Sequence, residues 1–101
     1  MNIRMSNDII YKKSNTVVSR SLKPEALVIP IKAGSANLNE VYLLNEIAAR
    51  MWELIDGYRS TSQLIDIITQ EYDVTTEEAS ADFEELASHL EHLAVLQKVT
   101  P

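Results

Sequence analysis

At Asn45 the apolar residues of this chain change period, and that change limits the fold more than any other feature. Before it they come in short runs: Thr16-Val17-Val18, then Glu25-Ala26-Leu27-Val28-Ile29-Pro30-Ile31, then about Leu38 to Leu44 through Val41-Tyr42-Leu43-Leu44. Short β-branched and apolar runs, divided by the turn Leu22-Lys23-Pro24 and a loop over Lys32 to Asn37, predict antiparallel strands. Alternation sends Leu27, Ile29 and Ile31 to one face of the second strand and Val28 and Pro30 to the other. Pro30 has no amide donor, so its nitrogen must lie where no ladder bond is needed.

From Asn45 onward the spacing is helical. An asparagine side chain can cap the first amides of a helix, and Ile47, Ala48, Met51, Trp52, Leu54 and Ile55 then fall on one face. Asp56-Gly57 supplies a left-handed residue to end it. Ser60 with Gln63 is a capping box that opens a second helix, with Leu64, Ile65, Ile67, Ile68 and Tyr72 as its buried side. Thr75 with Glu78 opens a third in the same way. Its apolar positions Ala79, Phe83, Leu86, Ala87, Leu90 and Leu93 form one stripe, and the helix should run to about Val95. Three strands followed by three helices give an α+β chain, like a winged helix-turn-helix with its sheet placed first and the helices packed on one face.

Length and charge bound the rest. With 101 residues and 46% hydrophobic content there is room for one domain with a modest core. Residues 1–15 show no sustained period and read as a loose N-terminal arm, leaving 16–99 as the domain. Cysteine is absent, so neither disulfides nor thiolate metal sites can hold the fold. The longest apolar run is too short to span a bilayer and the first residues lack a secretory apolar segment, which fits a soluble cytoplasmic protein. The net charge of −6 disfavours a phosphate-neutralising surface and hence nucleic acid. The charge is also uneven: residues 1–50 carry seven Lys/Arg and four Asp/Glu, residues 51–101 two and eleven. The acidic half favours a partner segment that is basic or neutral.

The inventory for catalysis is thin. His89 and His92 lie three apart on the third helix and, with Glu85 or Glu91, could hold a metal, but the signal is weak and a solvated polar stripe accounts for them better. Glu77-Glu78 and Glu84-Glu85 are adjacent on a helix and point in different directions, so neither pair can flank one bond. Two glycines leave no phosphate-cradling loop. No enzyme activity, metal or cofactor is therefore expected. Trp52, on the side of Ile47 and Ile55, reads as core. The strand order is more informative. If consecutive strands pair, the third is an edge with unpaired amides and carbonyls to which an extended peptide can add; equally, the edge can simply be tolerated, protected by its shortness and by Glu40.

Tyr42-Leu43-Leu44-Asn45-Glu46, then Ala49, Met51-Trp52-Glu53-Leu54 and Asp56-Gly57, resemble the signature of PqqD-like proteins, also called RiPP recognition elements. Ser60-Thr61 to Ile65, Tyr72-Asp73-Val74, Asp82-Phe83 and Leu86 to Leu90 continue that likeness, which covers about residues 16 to 99. The resemblance implies a winged-helix-like domain that binds the leader segment of a ribosomally made precursor peptide and presents it to a modifying enzyme, often a radical SAM enzyme; the founding member serves pyrroloquinoline quinone biosynthesis. It further implies that the leader pairs with the third strand and lies between it and the third helix. Carried onto this chain, the peptide-binding residues would be Val41, Tyr42 and Leu43 on the strand and Asp82, Glu85, Leu86 and His89 on the helix, with Asp82 alternatively structural. Two rival readings remain at this stage: a winged-helix DNA-binding regulator, disfavoured by a second helix carrying Asp66 and Glu71 and no Lys or Arg, and a structural docking subunit of an enzyme complex. Oligomeric state is open, and strand exchange through the arm could support a homodimer.

Overall fold

In the computed structural model, residues 8–32, 35–36 and 40–99 are described. Three main strands pair as their order predicts: β2 (Val17–Ser21) with β3 (Ala26–Lys32), and β3 with β5 (Tyr42–Leu44), all antiparallel. Three helices follow, α1 (Glu46–Leu54), α2 (Thr61–Glu71) and α3 (Thr76–His92). Three short strands add to this plan: β1 (Tyr11–Lys13) and β6 (Leu96–Lys98), which pair with each other, and β4 (Ser35–Ala36), which pairs with β3.

The third strand is shorter than the sequence suggests, and Pro30 lies where it breaks. The Ile31 amide donates to the Thr16 carbonyl at 2.8 Å. Hydrogen-bonded and non-bonded pairs alternate in an antiparallel ladder, so the backbone polar groups of Ala26 and Val28, and the Pro30 nitrogen, face away from β2. On that side Val28 pairs with Tyr42 and Ile31 with Ala36. Three steps along β3 thus correspond to six along its partner, and the donor-less Pro30 sits at this change of register. Of the expected strand from Leu38, residues 38–39 lie outside the described residues, and pairing resumes only at Tyr42.

The core forms between the inner face of the sheet and the helices. Ala26, Val28 and Pro30 point inward, with Leu44, Met51, Trp52, Leu54, Ile65, Ile68, Phe83, Leu86 and Leu90 packed among the buried residues. Each fully buried side chain of the Leu or Phe class contributes about 1.5–3 kcal/mol. The helix starts follow the sequence signals: Asn45 Oδ1 accepts from the Ala48 amide at 2.9 Å, and both capping boxes, Ser60–Gln63 and Thr75–Glu78, are complete.

Two helix ends differ from expectation. Gly57 has a φ of 86°, but it lies beyond an extended C-cap at Ile55 and shapes the following turn, where Asp56 Oδ1 accepts from the Tyr58 and Arg59 amides. Helix α3 stops at His92, short of Val95. Ala94 takes a left-handed φ of 63° while its amide bonds the Glu91 carbonyl and the Val95 amide bonds that of Leu90. This is the crossed pair of bonds that normally closes a helix on glycine. It turns the chain so that Val95 is buried and β6 can leave in the opposite direction.

The segment expected to be a loose arm is tied down from Asp8 onward; residues 1–7 lie outside the described residues. One edge of β1 pairs with β6, while on the other the Tyr11 carbonyl accepts from the Gly57 amide and the Ile9 carbonyl from Thr61. The Tyr11 ring meets Phe83 edge-on at 5.7 Å. These contacts are between distant residues, so no local period announces them.

Candidate functional site

The β5 edge and α3 enclose a groove of about 280 Å3, lined by Tyr42, Leu43, Leu44 and Asn45, by Ile47, Ala48 and Met51 of α1, and by Asp82, Glu85 and Leu86 of α3. Each wall follows from local structure. Because the backbone polar groups of Tyr42 and Leu44 face β3, the N–H and C=O of Leu43 between them face outward. The side chains alternate the other way. Leu44 is buried in the core and Tyr42 reaches α3, whereas Leu43 turns to the opposite face and is 58% exposed.

At one end of the groove the Tyr42 hydroxyl and His89 Nδ1 lie 2.7 Å apart, with the rings edge to face at 5.6 Å. This contact bridges β5 to α3 just beyond the stripe of Asp82, Glu85 and Leu86. The two carboxylates are exposed at the rim, and Leu86, 5% exposed, belongs to both floor and core. The arrangement therefore offers a backbone donor and acceptor at an open edge, an apolar floor beside them, and negative charge above.

Of the sequence candidates, Tyr42, Leu43, Asp82, Glu85 and Leu86 come together around the groove, and His89 joins through its bond to Tyr42. Val41 does not line it; 37% exposed, it precedes Tyr42 and continues the alternation on the Leu43 side. Asp82 is an exposed groove-lining residue. Sequence reasoning missed Asn45, Ile47, Ala48 and Met51. Asn45 reads as a helix cap and the helical spacing assigns the other three to the core, and only the position of β5 over the start of α1 shows that the same face also floors a groove.

A second hollow of similar size, about 280 Å3, opens between the β2–β3 hairpin and α1. Its charges are mixed, Lys13, Arg20, Lys23 and Arg50 with Glu25, Glu46 and Glu53. The Lys13 ammonium lies 4.6 Å from the centre of the Trp52 ring, and burial lowers the Lys13 pKa against the opposing pull of Glu53 and Asp56. Trp52 is core, 3% exposed, as its spacing predicts. Arg50 donates two bonds to Glu71, at 2.7 and 2.8 Å, and one to Glu53. The bonds from Arg50 hold the Glu71 carboxyl below the usual carboxylate range, and Glu71 in turn raises the Arg50 pKa. This side is thus braced by its own ion pairs.

Among the described residues no cluster of three or more His, Cys, Asp or Glu side chains could hold a metal ion, and no helix is long and apolar enough to cross a membrane. Helix α2, which would read DNA in a winged helix, carries no Lys or Arg.

No curated protein matches the sequence. Among solved structures, one described as TbiB1 in complex with the TbiA(beta) leader peptide is similar to this chain, with a TM-score of 0.72 and 21% identity, covering 89% of this chain and 99% of that one. That likeness establishes the fold, an α+β domain with its antiparallel sheet ahead of three helices. The family model for coenzyme PQQ synthesis protein D matches residues 22–96, the span that holds the main sheet from its β2–β3 turn, all three helices and every residue lining the β5 groove. The chain belongs to the PqqD family.

Proposed function

We propose that this chain is a peptide carrier acting in the cytoplasm: it takes the leader segment of a ribosomally made precursor peptide as an added strand on β5 and presents the precursor to a modifying enzyme, which does the chemistry. The observation that carries this reading is the outward pair of backbone groups on Leu43 beside an apolar groove closed by α3. Membership of the PqqD family supports it, as does the fold shared with a protein solved with a leader peptide. Main-chain bonds to an edge supply affinity, and side-chain pockets supply selectivity. In this arrangement Leu43 offers the backbone, Tyr42 and Leu86 the apolar contacts, and Asp82 and Glu85 a rim that favours a leader with Lys or Arg beside its apolar anchor. His89 positions Tyr42. A leader ordered only on binding loses entropy, so an affinity on the order of micromolar is expected.

The test is a calorimetric titration with the leader segment of the precursor encoded in the same gene cluster. Leu43→Pro removes the outward donor without touching the β3–β5 bonds and should abolish binding. A charge at Leu86 is a poorer probe because that side chain is also core. If Leu43→Pro binds the leader normally, strand addition at this edge is wrong.

A further inference from the structure

The hollow between the β2–β3 hairpin and α1 has no role in the leader reading. At about 280 Å3 it lies near the lower end of small-ligand pockets, about 300 Å3. Pro24, Ala26, Ala49 and Trp52 supply its apolar lining. Two observations point to an occupant. The Trp52 side chain is buried, yet its Nε1 has no hydrogen-bond partner. A buried donor without an acceptor is costly and calls for a partner that the folded chain does not itself supply. The other observation is charge. Lys13 is partly buried with its ammonium over the Trp52 ring, and neither it nor Arg20 or Lys23 forms an ion pair among the described residues. Arg50, by contrast, is committed to Glu71 and Glu53. Burial lowers the Lys13 pKa, and an anion added beside it would oppose that shift.

We propose that this hollow binds a singly charged carboxylate carried on a small apolar body, with the body against Trp52, Pro24 and Ala49 and the carboxylate between the Lys13 ammonium and the Trp52 indole N–H. The two acceptor oxygens of a carboxylate match these two donors. The Nε1 atom is covered, so binding requires the Lys13 side chain to swing off the ring; its flexible stem and lack of a carboxylate partner leave it free to do so. Arg20 and Lys23, both exposed, add an attractive field around the opening. Glu25 and Glu46 also line the hollow, and they limit the charge that can enter: an ion with two negative charges meets twice the repulsion of a lone carboxylate. The same chemistry serves a free organic acid or an acidic side chain of a peptide. This site is independent of the leader groove, which lies at the opposite edge of the sheet.

Trp52 is the sole tryptophan of the chain, so its indole N–H gives a single cross-peak in a heteronuclear NMR spectrum of the labelled full chain. Phenylacetate should shift that peak saturably at millimolar concentration, and the neutral phenylacetamide at the same concentration should shift it far less. Lys13→Gln should weaken phenylacetate binding by about tenfold, and Arg20→Gln, at an exposed site, by about twofold. No shift with phenylacetate, an equal shift with phenylacetamide, or unchanged affinity in Lys13→Gln overturns the proposal. The comparison of the two probes on the wild type decides the matter even if Lys13→Gln fails to fold. The full precursor peptide from the same gene cluster then separates the two sources. An indole shift that phenylacetate competes away assigns the carboxylate to the peptide, and the absence of one assigns it to a free acid.

Discussion

The main sheet has two edges, and they are unlike. Strand β2 is five residues long and β5 three, so backbone availability alone would favour β2. Each borders a hollow of about 280 Å3. Beside β2 that space is lined by Lys23, Arg50, Glu25 and Glu53, of which Arg50 and Glu53 are paired, together with Pro24, Ala26, Ala49 and Trp52; beside β5 it has an aliphatic floor of Leu44, Ile47, Met51 and Leu86 under the carboxylates of Asp82 and Glu85. An open edge gives a peptide hydrogen bonds, but an extended peptide in water is already hydrogen-bonded to solvent, and the net gain per bond is about 1 kcal/mol. Apolar burial has to supply the rest: beside β5 it comes from an aliphatic floor under the edge, whereas beside β2 the apolar groups of Pro24, Ala26, Ala49 and Trp52 lie among side chains of both charges. In the proposed reading the shorter edge is the one that takes the peptide.

The comparison can be broken most directly by proline. Leu43→Pro is expected to lower leader affinity by about 100-fold or more, whereas Ser19→Pro, at an outward-facing amide of the other edge, should change it by less than about twofold; calorimetry on both variants reads the contrast. Charge gives the next largest effect. With a leader that carries Lys or Arg beside its anchor, Asp82→Lys with Glu85→Lys should weaken binding by about tenfold at low ionic strength and much less at high salt, while Glu25→Lys should do little.

Acid should separate the two sides in another way. Glu71 is held below its usual range by bonds from Arg50, and Asp56 by the Arg59 and Tyr58 amides. A carboxylate whose folded pKa is depressed contributes stability that is fully present above the ordinary carboxylate range and is lost as pH falls through the folded value. Urea midpoints should therefore drop on acidification, and Glu71→Gln should flatten that drop without altering leader affinity at neutral pH. The smallest effect is a control touching neither edge. Ala94→Gly relieves a left-handed alanine and should stabilise the fold by about 1 kcal/mol, seen as a rise in Tm with leader binding unchanged.

The helices were legible in the sequence because their signals are local. Asn45, Ser60 with Gln63, and Thr75 with Glu78 cap amides within three residues of themselves. The order of the main strands was legible from their short connections, and with it the edge position of Tyr42–Leu44. The pairing of Tyr11–Lys13 with Leu96–Lys98 was not, since it joins opposite ends of the chain through strands too short to show alternation. Nor was the turn at Ala94, where no glycine or asparagine marks the left-handed position. In the site, Asp82, Glu85 and Leu86 fell on one expected stripe and line the same groove as Tyr42 and Leu43, while Val41, carried over from the resemblance as part of the pairing strand, precedes β5 and does not line it.

Pro30 bears on what this protein must avoid as well as on what it can hold. A long, flat, unpaired strand is a template for other chains, and sheet proteins that expose one tend to aggregate. The register change beside Pro30 leaves β5 only three residues long. That offers a visiting peptide a few main-chain bonds but gives another copy of the sheet too little length to grow on. The same brevity limits how tightly any guest can be held through its backbone. If the leader adds at this edge, a carrier built this way exchanges one peptide for the next, and its reversibility traces to the brevity of β5 rather than to any side chain in the groove.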